Sequence, residues 1–462
     1  MMNVTKNHRK SKGLVIWLTV IALPFFLMIT GLALDSGRAY LVKAKLFAAL
    51  DAAGIAAARA VANGESAARA AANKYFSANI PTNYLDSNPS LGQINFSTDA
   101  FGNVSINLNA SASLVNPFLS VFGYSNWDVS AEAQTIRRPV DLVLVVDNTT
   151  SLRSGSIGDV TQDVIDRSKS FVKNFNENFD RVSIVKYAYG AETPVTFNST
   201  RGHSRQALIS AIDSFTFGSF SSPQYTNASE GLYRALDGIR NVSNPANLKV
   251  IVFFTDGAPN TFSSRFRFVG ETGWHRGSIR SGDSTSNGTP RGLWRHNRVN
   301  TTASNGDYHG SNIDDKLRRF PDYYNTHSVN ASEFRVLNPT HPVRPVAQYN
   351  PNSHTAAQLY QRVNRISRNL VEDMAEKARQ EDIYVFTLGL GSSLTSFSGP
   401  DMEKGEDLLL RMANDPSMLS RPSLSSDFKP TQLQGVYCHA VDEEALGPCF
   451  DQMLDVIIRL TL

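Results

Sequence analysis

Cysteine is nearly absent from this chain of 462 residues, with Cys438 and Cys449 as its two thiols. So few exclude a disulfide-dense secreted scaffold, and C-x10-C is not a metal-knuckle spacing. Acidic residues are missing from the N-terminus, where no Asp or Glu precedes Asp35. No strong charge of one sign exists overall: the net charge is +3 and 19% of residues are charged. This balance supplies no electrostatic reason to expect a nucleic acid. Also lacking are a G-x-S-x-G elbow, a P-loop and a paired metal motif. His275, His296, His309, His327, His341 and His354 show neither H-x3-H nor H-E-x-x-H spacing, so they read as solvated loop histidines. No enzymatic activity is expected. An active site in the stretch 258–352, with the rest as scaffold, is kept as a weaker alternative.

What is present begins with a hydrophobic run. Residues 14–34 form an uncharged apolar segment of 21 residues, preceded by Lys6, Arg9, Lys10 and Lys12. At a helical rise of about 1.5 Å per residue it can cross a bilayer core of about 30 Å. The flanking positive charges stay cytoplasmic, which places everything after Asp35 outside the cytoplasm. A cleaved signal peptide is the competing reading, with Gly31-Leu32-Ala33 as a weak cleavage site. Its apolar segment, however, normally spans about 7 to 15 residues, and the longer run favours a retained single-pass anchor. Pro24 is tolerable within such a span. An extracytoplasmic location permits a disulfide between Cys438 and Cys449, with two unpaired thiols as the alternative.

Residues 1–35 thus read as basic leader and anchor, and 36–138 as an Ala-rich helix followed by a small β segment. The Ala-rich stretch has high helix propensity and no proline, so the membrane helix is expected to continue outward. Its small residues, including Ala49, Ala53, Gly54 and Ala57, permit close helix approach. Polar and apolar residues alternate over 103–110, as in a half-buried strand, and 127–136 reads as another. A small antiparallel sheet packed on the Ala-rich helix is expected. Arg137-Arg138-Pro139 marks the junction to the remaining domain, 139–462.

From there strands alternate with helices, predicting a doubly wound α/β domain with a mostly parallel, Rossmann-like sheet. Strands are expected at 140–146, 182–187, 249–255 and 383–390. Helices are expected at 158–176, 205–214, 228–240, 355–380, 408–414 and 443–459. The exception is 258–352, an insertion rich in Ser, Asn, Gly, His and Arg, with 12 Arg and Lys against 7 Asp and Glu. Loops longer than about 15 residues are uncommon in compact domains and are often functional or disordered.

Two buried strands end in carboxylates. V-D-L-V-L-V-V-D runs into Asp147-Asn148-Thr149-Thr150-Ser151, and a second apolar run ends in Thr255-Asp256-Gly257. In open α/β sheets the C-terminal strand ends converge on a crevice where ligands bind. Hard oxygen donors gathered there suit Mg²⁺ or Mn²⁺, with Ca²⁺ as a further candidate. Taken singly, each piece is also an ordinary helix N-cap. In this order, D-x-[ST]-x-S, a later loop Thr and T-D-G resemble the metal-ion-dependent adhesion site of von Willebrand factor type A domains. Thr149 stands where Ser is commoner, and it keeps the hydroxyl. The resemblance implies that Asp147, Thr149, Ser151, Thr226 and Asp256 surround the cation. It also implies one coordination position left for a carboxylate or water from outside.

The N-terminal region carries a second resemblance. A basic leader, an apolar span ending in L-x-x-D and then L-F-A-A-L-D-A-A-G-I-A-A-A are similar to TadG-like proteins of tight-adherence (Tad/Flp) pilus-assembly systems. The ending I-I-R-L-T-L is similar too. The resemblance implies a bacterial inner-membrane protein with a cytoplasmic N-terminus and a periplasmic or more distal main domain. It implies work with the Tad pilus machinery by gripping an acidic residue of a protein partner. A structural pilus subunit is the alternative. Prepilins, however, carry Glu at the fifth position after the processing glycine, and here Leu18 follows Gly13 at that place.

Overall fold

The computed structural model describes residues 14–155, 157–219, 224–281, 289–300, 310–350 and 353–461. The basic leader with Lys6, Arg9, Lys10, Lys12 and Gly13, and also His309, lie outside them. The chain divides between Arg137 and Arg138 into two compact units.

In the first unit the apolar run belongs to one helix, α1 (Leu14–Ala60), which passes through Pro24 without a break. Side chains from Ile16 to Leu34 are mostly exposed, Trp17 and Phe26 by 70% and 67%, while Gly31 is buried. This part is long and apolar enough to cross a membrane. Past Asp35 a stripe of Val42, Leu46, Ala49, Ala53 and Ala57 becomes buried at helical spacing. Gly64, at φ +96°, adopts the left-handed backbone that favours glycine and lets α2 (Glu65–Asn79) fold back on α1.

Three strands follow, β1 (Ser87–Thr98), β2 (Val104–Val115) and β3 (Asn126–Arg137), forming an antiparallel sheet in that order. Along β2 the apolar Ile106, Leu108, Ala110, Ala112 and Leu114 point inward and Asn107, Asn109, Ser111 and Ser113 outward, the period of two expected of a half-buried strand. β1 was not anticipated, because Pro89 and Gly92 interrupt its pattern. The small residues of α1 serve packing within the chain. A Cβ on Gly54 would stand 2.3 Å from Thr135 Oγ1, so glycine is what lets the sheet lie this close.

The second unit comprises β4 (Val140–Asp147), α3 (Ser151–Ser154), α4 (Thr161–Val172), β5 (Arg181–Tyr187), β6 (Ala191–Val195), α5 (Arg205–Asp213), α6 (Ala228–Arg240) and β7 (Leu248–Thr255). Next come β8 (Thr261–Phe268), β9 (His275–Arg280), β10 (Arg291–Trp294), β11 (Ser311–Asn312) and β12 (Leu317–Arg319). The remainder is α7 (Ala356–Gln380), β13 (Ile383–Leu390), β14 (Phe397–Ser398), β15 (Glu403–Lys404), α8 (Gly405–Ala413), β16 (Tyr437–Ala440) and α9 (Glu443–Thr461). The main sheet has the order β16-β13-β7-β4-β5-β6. Neighbours from β16 through β5 run parallel and edge strand β6 runs antiparallel. Val143 and Val145 face one core with α6 and α7, while Leu142, Leu144 and Val146 face the other with α4, α5 and α9. Burial on both faces explains why β4 is continuously apolar from Leu142 to Val146. Cys438 on β16 and Cys449 in α9 are joined by a disulfide.

The segment 258–352 corrects the expectation of a long loop. Its described residues carry a five-stranded sheet of order β11-β10-β9-β8-β12. Phe262, Phe266, Phe268, Ile279, Leu293, Leu317 and Phe320 are buried in the same core as α6 and α7. Burial of seven large side chains makes this sheet part of the domain. The helix expected at 158–176 is shorter, Thr161–Val172, and the one expected at 408–414 begins earlier, as Gly405–Ala413.

Candidate metal centre

β4 and β7 are adjacent and parallel, with Val146 opposite Phe254, so Asp147 and Asp256 emerge side by side at the C-terminal edge. Asp147 is fully buried, and Thr149, Thr226 and Asp256 nearly so; Ser151, which opens α3, is half-buried. The backbone N–H of Thr149 donates to Asp147 Oδ1 at 2.8 Å. The hydroxyls of Thr149 and Ser151 lie 2.9 Å apart, and that of Ser151 donates to Asp256 Oδ1 at 2.8 Å. A continuous chain of hydrogen bonds therefore joins Asp147, Thr149, Ser151 and Asp256.

Thr226 stands at the same edge, one residue before the Asn227 cap of α6. Its Oγ1 lies 3.9 Å from the place of a Cβ on Gly257. Its backbone N–H donates to Asn260 Oδ1 at 3.0 Å, and its carbonyl accepts from Asn260 and Thr261, each at 3.2 Å. Among the described residues no hydrogen bond joins its hydroxyl to the other four.

Several groups around the five were not anticipated. Thr255 Oγ1 donates to Asp147 Oδ2 at 2.6 Å, and the Tyr187 hydroxyl lies 3.2 Å from that oxygen. Thr150 Oγ1 accepts from the backbone of Gln224 at 2.7 Å, tying the β4 loop to the loop that carries Thr226. Ser393, beyond β13, donates to the carbonyl of Asp256. Thr255 could have been suspected from its place in T-D-G. Tyr187, Gln224 and Ser393 carry no local pattern, since tertiary folding alone brings them here.

Burial pushes the carboxyls of both Asp147 and Asp256 upward, and for Asp256 the neighbouring Asp147 charge adds to the rise. Hydroxyl hydrogen bonds from Thr149 and Ser151 oppose this. Among the described residues no Lys or Arg contributes to the shift of either carboxyl, and a divalent cation among these hard oxygens would supply the missing positive charge. The donor set therefore fits Mg²⁺, Mn²⁺ or Ca²⁺. Among the described residues no group of three or more His, Cys, Asp and Glu offers an alternative metal cluster.

The architecture is that of a von Willebrand factor type A domain. The family model for that domain matches residues 141–268, which include all five candidate ligands. The Flp pilus-assembly TadE/G-like family model matches residues 13–60. The chain thus joins a TadE/G-like segment to a von Willebrand factor type A domain. Among solved structures, it is similar to the vWF domain of the type V pili tip protein Mfa5 from Porphyromonas gingivalis, at 17% identity and a TM-score of 0.40 over 71% of this chain and 98% of that one. It is also similar to the adhesive tip pilin GBS104 from Group B Streptococcus agalactiae, at 11% identity and a TM-score of 0.38 over 69% and 100%. Proximal thread matrix protein 1 from the mussel byssus matches at 12% identity and a TM-score of 0.35 over 70% and 47%. No curated protein matches the chain.

Proposed function

We propose that the protein is a membrane-anchored, extracytoplasmic adhesion and assembly factor of a Tad-type pilus system. It captures a protein partner through a divalent cation held by Asp147, Thr149, Ser151, Thr226 and Asp256. The observation carrying this reading is the hydrogen-bonded run of oxygens from Asp147 to Asp256, lying across two adjacent strand ends of a von Willebrand factor type A domain. The TadE/G-like segment supports the pilus setting and the apolar part of α1 supports the anchor. Asp147 and Asp256 contribute two negative charges and the remaining donors are neutral. These two charges balance a divalent ion without exceeding it, and the neutral hydroxyl donors would leave the ion electrophilic enough to take a carboxylate from outside. Asn260, at the start of the inserted sheet, bonds the Thr226 backbone. The insertion therefore borders the crevice, where it selects the partner.

Calorimetric titration of the solubilised protein with Mg²⁺ and Mn²⁺ tests the centre. Wild type should bind one ion, Asp147→Ala and Asp256→Ala should lose binding while keeping the fold, and Thr149→Ser should behave as wild type. Unchanged titration in both Ala variants would reject the site.

A further inference from the structure

The loop joining β2 to β3 is apolar and tightly built. No charged residue or histidine occurs from Ala100 to Trp127. A 3-10 turn at Leu119–Phe122 is closed by Asn116 N–H to the Ser125 carbonyl at 2.9 Å and Tyr124 N–H to the Leu119 carbonyl at 3.1 Å. Leu119 is buried, yet Phe118, Val121, Phe122 and Tyr124 are 47%, 80%, 42% and 65% exposed. A rigid turn that presents four large apolar side chains together marks a contact surface.

The loop's place on α1 identifies what covers it. A Cβ on Gly31 would stand 2.7 Å from Phe118 Cβ. One helical turn further, the buried Asp35 accepts the Leu119 N–H at 2.9 Å on Oδ2. Another turn on, Arg38 donates to the carbonyls of Val115 at 3.2 Å and Leu85 at 2.7 Å. Gly31 lies inside the apolar run that ends at Leu34, so Phe118 meets the helix within the last turn of the membrane-crossing part. The register agrees. β2 passes Gly54 at Leu108, and seven extended residues from there to Val115 span about 23 Å, against about 24 Å for the 16 helical residues from Arg38, which bonds Val115, to Gly54.

We infer that the β2–β3 loop is a second membrane contact, with Phe118, Val121, Phe122 and Tyr124 entering the bilayer leaflet farther from the N-terminus. The inference rests on α1 crossing a membrane. Lipid is the occupant because the patch is uncharged and adjoins the exposed Leu32 and Leu34 on the same stretch of helix. Tyr124 supplies the apolar body with a polar tip that suits the headgroup boundary. Pinned at Gly31 and Asp35 to a loop that is itself seated in the leaflet, α1 loses its freedom to rotate about its own axis in the bilayer.

The test uses the full chain in phosphatidylcholine vesicles, with an environment-sensitive fluorophore attached by Val121→Cys, Ser111→Cys or Leu23→Cys. The native cysteines are disulfide-bonded and do not compete for label. Nitroxide lipids labelled near the headgroup should quench the probe at position 121 several-fold more than at position 111, on the exposed polar face of the sheet. Lipids labelled deep in the acyl chain should quench position 23. If position 23 is quenched and 121 resembles 111, the loop contact is overturned and the anchor stands. If neither 23 nor 121 is quenched, both readings fall. Protection of position 121 from aqueous iodide without lipid quenching points to a protein cover and likewise overturns the inference.

Discussion

Phe266→Ala tests whether the inserted sheet belongs to the core of the second unit. Phe266 has no exposed surface. It packs edge-on against Phe262, with ring centroids 5.5 Å apart, and 6.5 Å from Phe320. Truncation removes a whole ring from a site enclosed by aromatic neighbours that cannot easily collapse into the space. Such changes cost about 3–5 kcal/mol. In a domain of this size each kcal/mol lowers the melting temperature by about 2 °C, giving an expected drop of about 6–10 °C. Val329→Ala is the control, because Val329 lies in the same insertion and is 63% exposed; it should change stability by less than about 0.5 kcal/mol. Differential scanning calorimetry of the solubilised protein reads both. Equal melting temperatures for wild type and Phe266→Ala would show that the insertion is a detachable decoration. The same reasoning says that replacing 258–352 by a Gly-Ser linker uncovers apolar faces of α6 and α7. Loss of partner capture in such a deletion would therefore not by itself assign recognition to the insertion.

Acid should weaken the second unit through His296, which the structure buries and does not leave solvated as expected; burial holds its imidazole down to about 4 from 6.5, although the buried Glu230 pulls the other way. With the folded pKa below the unfolded one, the unfolded chain takes up the proton first. This contribution is full above pH 6.5 and is lost as pH falls toward 4. It amounts to about 2 kcal/mol once solvent screening reduces the full value of about 1.4 kcal/mol per pKa unit. Stability measured from pH 7.5 to 4 should fall less steeply in His296→Gln; identical slopes would remove His296 as the cause. Alkaline phosphatase fused after Leu462 should be active, as the positive charges before α1 require. Activity of a cytoplasmic reporter there instead would reverse the orientation.

Patterns that depend on neighbours in sequence were readable from the chain alone. The apolar run of α1, the alternation of β2 and the mostly apolar strands β4, β7 and β13 follow from how each segment must bury or expose its side chains. The order Asp147, Thr149, Ser151, then Thr226, then Asp256 was readable for the same reason, since each residue sits at the end or start of an element whose type is locally encoded. The inserted sheet was not readable. Its strands are short, carry Ser and Arg between their apolar residues, and gain their burial from α6 and α7, which lie outside the insertion on either side of it. The pairing of β16 with β13 likewise joins strands about fifty residues apart, Thr387 opposite Tyr437. Tertiary structure also decided that Tyr187, Thr255 and Ser393 gather around the two carboxylates. It decided too that Gly31, Asp35 and Arg38, spaced along one face of α1, hold the apolar turn at 116–125. Local sequence sets which surfaces are apolar and which residues end a strand; only the folded chain determines what each surface meets, because those contacts join residues tens to hundreds of positions apart.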